Sequence, residues 1–132
     1  MDYEDDHMCF VCGKQNGAGL QLEFELIGDD RIRTEFIPLK RFQGWKDVLH
    51  GGIIATILDE VMVNGAYLRQ IMAVTTKLQI TLRRPAAIGE RLIFYGQILK
   101  HGARTVNMKA WAEQEDGTIV AEATGLLMKI RG

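Results

Sequence analysis

The sequence predicts an α+β domain in which a largely antiparallel sheet wraps around one long central helix, in the order β-β-α-β-β-β-β. Three observations carry this. Six stretches read as strands, several with clean period-two alternation of apolar and polar residues. The period changes only once, over residues 51–69, to the three- and four-residue spacing of a helix. Glycine, aspartate and proline then mark the breaks between elements. A sheet curled around a single helix buries the apolar side of both.

The first strand signal is LQLEFEL, residues 20–26, an alternating and half-buried pattern. Gly28-Asp29-Asp30 is a turn signal, and residues 31–37 alternate again, so the two form a hairpin that Pro38 ends. Residues 40–48 are a looser link to His50-Gly51-Gly52. In the helix, Ile53, Ile54, Ile57, Leu58, Val61 and Met62 recur at helical spacing. Its β-branched residues give mediocre propensity, so tertiary burial must hold it. It is apolar around most of its circumference, as a helix enclosed by other structure should be. Residues 74–84 then place Leu78, Ile80 and Leu82 on one side and Lys77, Gln79, Thr81 and Arg83 on the other. Residues 90–100 follow the Pro85 and Gly89 turn region. Residues 104–115 lead through Asp116-Gly117, a hairpin turn, into residues 118–130.

At 132 residues the chain is long enough for one core and too short for two. A formal net charge of −1 provides no overall field for nucleic acid or an anionic membrane, so neither is an expected partner. The opening MDYEDDHM is acidic and lacks the apolar core of a secretory signal. No apolar run reaches the ~18 residues of a membrane span. A cytoplasmic location is expected.

Residues 1–19 read as an N-terminal extension and residues 20–132 as the folded domain. The extension carries Cys9-Phe10-Val11-Cys12 just after His7. Such a pair suits zinc or redox chemistry, but a structural zinc needs four ligands and no complementary pair follows. A redox pair belongs between a strand and a helix, not before Gly13, Gly17 and Gly19. Two reduced, packed cysteines and no metal are therefore expected.

The helix carries two adjacent carboxylates, and burying either costs several kcal/mol unless it is paired. Glu60 has Thr56 and Asn64 one turn away on either side, a polar stripe that can satisfy it. Asp59 has Ala55 and Val63 there, with Met62 and Ala66 close by. This places the more desolvating surroundings, and the stronger base, at Asp59.

Several short motifs stand in one order: Phe42-Gln43-Gly44, His50-Gly51-Gly52, Asp59 nine residues after the His, Val74-Thr75, Arg84-Pro85-Ala86, Gly89-Glu90, and Asp116-Gly117 before Val120-Ala121. In this set the chain resembles the hotdog-fold acyl-CoA thioesterases, in the branch of the phenylacetate-pathway enzyme and the mammalian thioesterase-superfamily members. The resemblance runs from Leu20 to the C-terminus. It implies a homodimer that can pair again into a homotetramer, with active sites at the dimer interface. It also implies hydrolysis of an acyl-CoA to free acid and coenzyme A, with no cofactor beyond the coenzyme A of the substrate.

By the same resemblance Asp59 is the general base or nucleophile. The Gly51 N–H is the oxyanion donor at a helix N-terminus, where the dipole favours negative charge. Neither Gly51 nor Gly52 has a Cβ to hold a thioester away. His50 orients the thioester or its loop, and Thr75, from the other subunit, helps hold the attacking water. Some relatives carry an Asn six residues before the His; Gly44 stands there, and the adjacent Gln43 is expected to take that task. Arg83, Arg84, Arg91, Lys100, His101 and Arg104 are expected to cluster near strand ends, with Arg84 and Arg104 the candidates for coenzyme A phosphates. Met62, with Gly65, Ala66 and Tyr67, is expected to shape the acyl pocket. Two rival readings are a non-catalytic acyl-CoA-binding module and an acyl-thioester dehydratase or hydratase on the same fold.

Overall fold

The computed structural model describes residues 3–130, so the outer ends of the two expected spans, residues 1–2 and 131–132, lie outside it. The elements are β1 (Glu25–Ile27), β2 (Arg31–Phe36), a 3-10 turn (Lys40–Phe42), α1 (Gly51–Tyr67), β3 (Ala73–Leu82), β4 (Leu92–His101), β5 (Thr105–Gln114) and β6 (Ile119–Lys129). The six strands form one antiparallel sheet in the order β1-β2-β4-β5-β6-β3. The expected order β-β-α-β-β-β-β is the observed one. After α1 the chain crosses the sheet, so β3 pairs with β6 at the edge opposite β1.

Both predicted hairpin turns form on left-handed glycines, Gly28 at φ 59° and Gly117 at φ 86°. The first strand is shorter than its alternation suggests and spans only Glu25–Ile27. Upstream of it the Leu20 and Leu22 amides donate to the Phe10 and Val11 carbonyls, each at 2.8 Å. Gln21 between them turns at φ 52°. The pattern still has a burial meaning, because Leu20, Leu22 and Phe24 pack against the core.

The helix buries Ile54, Ile57, Leu58, Val61, Met62, Gly65 and Ala66. They pack among Ile32, Leu92, Phe94, Val106, Met108 and Leu127 from the sheet. Each fully buried Leu, Ile or Met contributes about 1.5–3 kcal/mol. Contact with β4 is direct: a Cβ on Gly96 would lie 2.7 Å from the Val61 carbonyl oxygen. No helix among the described residues is long and apolar enough to cross a membrane.

Two features of β3 position the site. Its register with β6 shifts between Thr75 and Lys77, leaving Thr76 as an extra residue. The bulge reverses the side-chain phase, so the face that carries Ala73 and Thr75 continues as Leu78, Ile80 and Leu82. β3 is also an edge strand, with no partner on its outer side among the described residues, and it leaves Leu78 and Leu82 exposed.

Candidate functional site

The N-terminus of α1 is built by the loop before it. The Gln43 Oε1 accepts the Asp47 N–H at 3.0 Å, and the Lys40 ammonium pairs with Asp47 at 2.9 Å. The Gly44 amide donates to the Val48 carbonyl, Leu49 to Ala86 and His50 to Phe42. His50 is then the N-cap, its Nδ1 accepting the Gly52 N–H at 2.8 Å. The His50 carbonyl takes the Ile53 and Ile54 amides. This leaves the Gly51 N–H as a donor with no protein acceptor among the described residues. A Cβ on Gly51 would lie 2.8 Å from the Leu82 Cδ1 of β3.

Further along α1, the Thr75 hydroxyl donates to Asp59 Oδ1 at 2.6 Å within the same chain. The expectation that Thr75 comes from the other subunit, facing solvent in its own, is corrected by the bulge at Thr76. Without that extra residue Thr75 would share a face with the exposed Lys77 and Gln79.

The two carboxylates do not differ in burial as expected: both are half-buried. At Glu60 the low dielectric pushes the carboxyl above the usual carboxylate range. The Asn64 amide donates to Glu60 Oε2, as the polar stripe suggested, and the Cys9 thiol lies 3.7 Å from the same oxygen. Thr56 turns instead to the Gly52 carbonyl at 2.8 Å. The polar stripe is real, but one of its partners is the N-terminal extension.

Other candidates fall in different places. Gln43 holds its own loop through its amide oxygen, not a free position for water. Met62 is fully buried, its sulfur 2.9 Å from where a Cβ on Gly125 would stand, so it fills the core and lines no surface. The basic residues do not form one cluster. The Arg84 amide meets Val120 at the start of β6, whereas the Arg104 carbonyl meets Lys129 at its end. Nine strand residues separate those points, about 30 Å. Arg83 and Arg91, at the Arg84 end, pair with Glu122 and with Glu35 and Glu115.

One residue was missed. Trp45 is 87% exposed and lines a cavity of ≈ 440 Å³ with Gly44, Val48, Leu49, His50 and Gly51. Its signal in the sequence is a large aromatic inside a loop that leads to a glycine-rich helix start.

Eight residues of helix separate Gly51 from Asp59, a rise of about 12 Å. A free backbone donor and a hydrogen-bonded carboxylate thus lie on one helix, too far apart to meet at one carbonyl of a ligand.

A family model of the thioesterase superfamily matches residues 46–121, more than half of the chain. No curated protein matches in sequence. Among solved structures, the thioesterase superfamily protein RHA08564 superposes with a TM-score of 0.87 at 22% identity, over 92% of this chain and 60% of its own. A hypothetical thioesterase protein of Streptococcus pneumoniae, solved with coenzyme A, gives 0.78 at 18% identity, over 83% and 85%. The Escherichia coli PaaI protein, from the phenylacetic acid degradation operon, gives 0.76 at 16% identity, over 81% and 82%. One helix enclosed by a six-stranded antiparallel sheet is the hotdog fold, and by the match over residues 46–121 the chain belongs to the thioesterase superfamily.

Proposed function

We propose that the chain hydrolyses an acyl-CoA thioester to a free acid and coenzyme A, in a site that two copies complete together. The observation that carries this reading is the separation along α1. A thioester carbonyl needs an oxyanion donor within about 3 Å and a base at its carbon. Asp59 with its Thr75 donor and the Gly51 N–H are both suited, yet one helix holds them about 12 Å apart. The base pair therefore comes from one subunit and the His50-capped Gly51 from the other.

In the general-base form Asp59 takes a proton from water, and the water oxygen bonds to the carbonyl carbon. The oxyanion forms against Gly51 N–H, where the helix dipole favours it. Its collapse breaks the carbon–sulfur bond, and the leaving thiolate of coenzyme A takes up the proton. In the nucleophilic form the Asp59 carboxylate bonds to the carbonyl carbon and the carbon–sulfur bond breaks, expelling coenzyme A as thiolate. Water then adds at the Asp59 carboxyl carbon of the anhydride, releasing the free acid and giving its proton to the thiolate. A single turnover in heavy-oxygen water separates the two, since only the second leaves label in Asp59.

Relatives support the assignment. The pneumococcal protein has solved mutants in which an Asp or a Thr is replaced by Ala, sixteen positions apart in its chain. Asp59 and Thr75 are separated by the same sixteen. A Streptococcus mutans neighbour was solved bound to acetyl CoA. The exposed apolar β3 edge suits pairing with a second copy, and two dimers can pair again into a tetramer. We assign a coenzyme A phosphate to Arg84, which stands at the Gly51 end of the sheet. Arg104 serves such a role only from another subunit. We place the reaction in the cytoplasm, with no cofactor outside the substrate.

Asp59→Asn should lower turnover at least ~100-fold while folding and oligomer size stay intact. Thiol release from a panel of short, long, branched and aromatic acyl-CoAs reads this out. Full activity in the variant would sink the assignment, and wild-type binding without thiol release across the panel would favour a non-catalytic module.

A further inference from the structure

The N-terminal extension and α1 meet at a group of side chains that the thioesterase reading does not use. The Cys9 and Cys12 sulfurs and a Glu60 carboxylate oxygen all lie within 4.8 Å of one another. We propose that Cys9, Cys12 and Glu60 form a zinc site that fastens the extension to the central helix.

The spacing suits the ion. Tetrahedral zinc, with Zn–S of about 2.3 Å and Zn–O of about 2.0–2.2 Å, sets neighbouring ligands roughly 3.5–3.8 Å apart. Cys9 Sγ stands 3.7 Å from Glu60 Oε2. Small side-chain movements close the remaining distances, because the three ligand atoms already lie within 4.8 Å of one another.

The backbone of the CFVCG turn is shaped around a sulfur. The Val11 and Cys12 amides both point at Cys9 Sγ, at 3.4 and 3.5 Å. These two contacts fix the position of the Cys9 sulfur on the Glu60 side of the turn. The Gly13 amide closes the turn on the Cys9 carbonyl at 2.9 Å, and a Cβ there would lie 2.4 Å from the Cys9 nitrogen. The Asn64 amide donates to Glu60 Oε2 and orients it, as outer-shell partners of metal ligands do.

When a divalent ion binds, the two thiols release their protons to solvent, and two thiolates with one carboxylate face it. The same residues line a cavity of ≈ 530 Å³ whose wall includes Glu4, Asp5 and Asp6. Water from that cavity supplies the fourth ligand, and the acidic wall draws the cation in.

The sequence lacks a second cysteine pair, and the structure replaces it with a helix carboxylate 51 residues from Cys9. The role is structural. Among the described residues no regular strand appears before Glu25, and Val11 is the one buried apolar side chain of the extension there. Metal binding can then supply folding free energy that a small apolar patch does not.

Titration of the reduced, metal-stripped full-length chain with Co2+ tests this independently of thioesterase activity. One ion per chain is expected, with a thiolate-to-cobalt charge-transfer band and the strong visible bands of tetrahedral cobalt. Zn2+ should displace it and raise the melting temperature. The double variant Cys9→Ser/Cys12→Ser should lose the charge-transfer band. Glu60→Gln, nearly isosteric, should keep that band while affinity falls about tenfold or more. Absence of the band in the wild-type chain, its persistence in the double variant, or unchanged affinity in Glu60→Gln would each overturn the proposal.

Discussion

At its N-terminus α1 leaves a backbone donor open beside an exposed histidine and an exposed tryptophan, whereas roughly two turns further on it holds both carboxylates against other parts of the chain. At the first end the loop is tied down by its own hydrogen bonds, but its outer side touches nothing, with His50 and Gly52 exposed and Trp45 87% exposed. At the second, Asp59 takes the Thr75 hydroxyl while Glu60 takes Asn64 and faces Cys9. The first region is open and the second is half-buried against the chain's own β3 and N-terminal extension. A single copy thus keeps apart the two groups that the chemistry we propose brings together.

The largest effect that would break this comparison is at Gly51. Gly51→Pro removes the N–H at the first helical position, where proline is favoured; its Cβ meets only the flexible end of Leu82, which must shift, and His50 already has a compatible extended backbone at φ −62°, ψ 130°. Turnover should fall about 100–1,000-fold, as when one oxyanion donor is lost. Mixing Gly51→Pro chains with Asp59→Asn chains then restores activity, because one of the two sites in each mixed dimer receives an intact Gly51 and an intact Asp59. Mixed dimers as inactive as either parent would show that each chain carries its own complete site.

A smaller effect belongs to Thr75. Thr75→Val keeps the shape and removes a hydrogen bond to a carboxylate, so turnover should fall about tenfold or more. Thr75→Ser, which keeps the donor, should retain most of it. Equal losses in both variants would mean that packing, not the hydroxyl, matters.

His50→Ala removes the cap on Gly52 and should lower stability by about 1 kcal/mol in denaturant unfolding, with His50→Asn recovering most of it. The smallest effect is at Glu60, measured on metal-free protein. Its folded carboxyl titrates above its unfolded value, so the folded state holds more protons between the two. Stability should therefore fall as pH rises through that interval, and Glu60→Gln should flatten this fall. A wild-type profile already flat there would remove the desolvation argument for Glu60.

Much of the architecture was legible because it rests on local patterns. Alternation marks a strand, a change of period marks α1, and Gly28 and Gly117 mark turns that need a positive φ. What failed, failed where a distant segment intervenes. The 20–26 strand is cut to Glu25–Ile27 because Phe10 and Val11 take the amides of Leu20 and Leu22. Met62 has the spacing of a pocket residue and the burial of a core one, because Gly125 leaves it room. Arg84 and Arg104 flank neighbouring turns in the sequence yet stand at opposite ends of β6. Trp45 went unnoticed, since exposure has no periodic signature inside a loop.

The sequence by itself determined the order of elements, the enclosed helix and the glycine-rich helix start, all set by interactions within a few residues. Only the tertiary structure decided what each carboxylate of α1 faces. A one-residue bulge in β3 turns Thr75 inward to Asp59, and the fold of the extension brings Cys9 and Cys12 to Glu60. The physical reason is that side-chain phase after a bulge and contact across 51 residues depend on how strands register and segments pack, which no local period records.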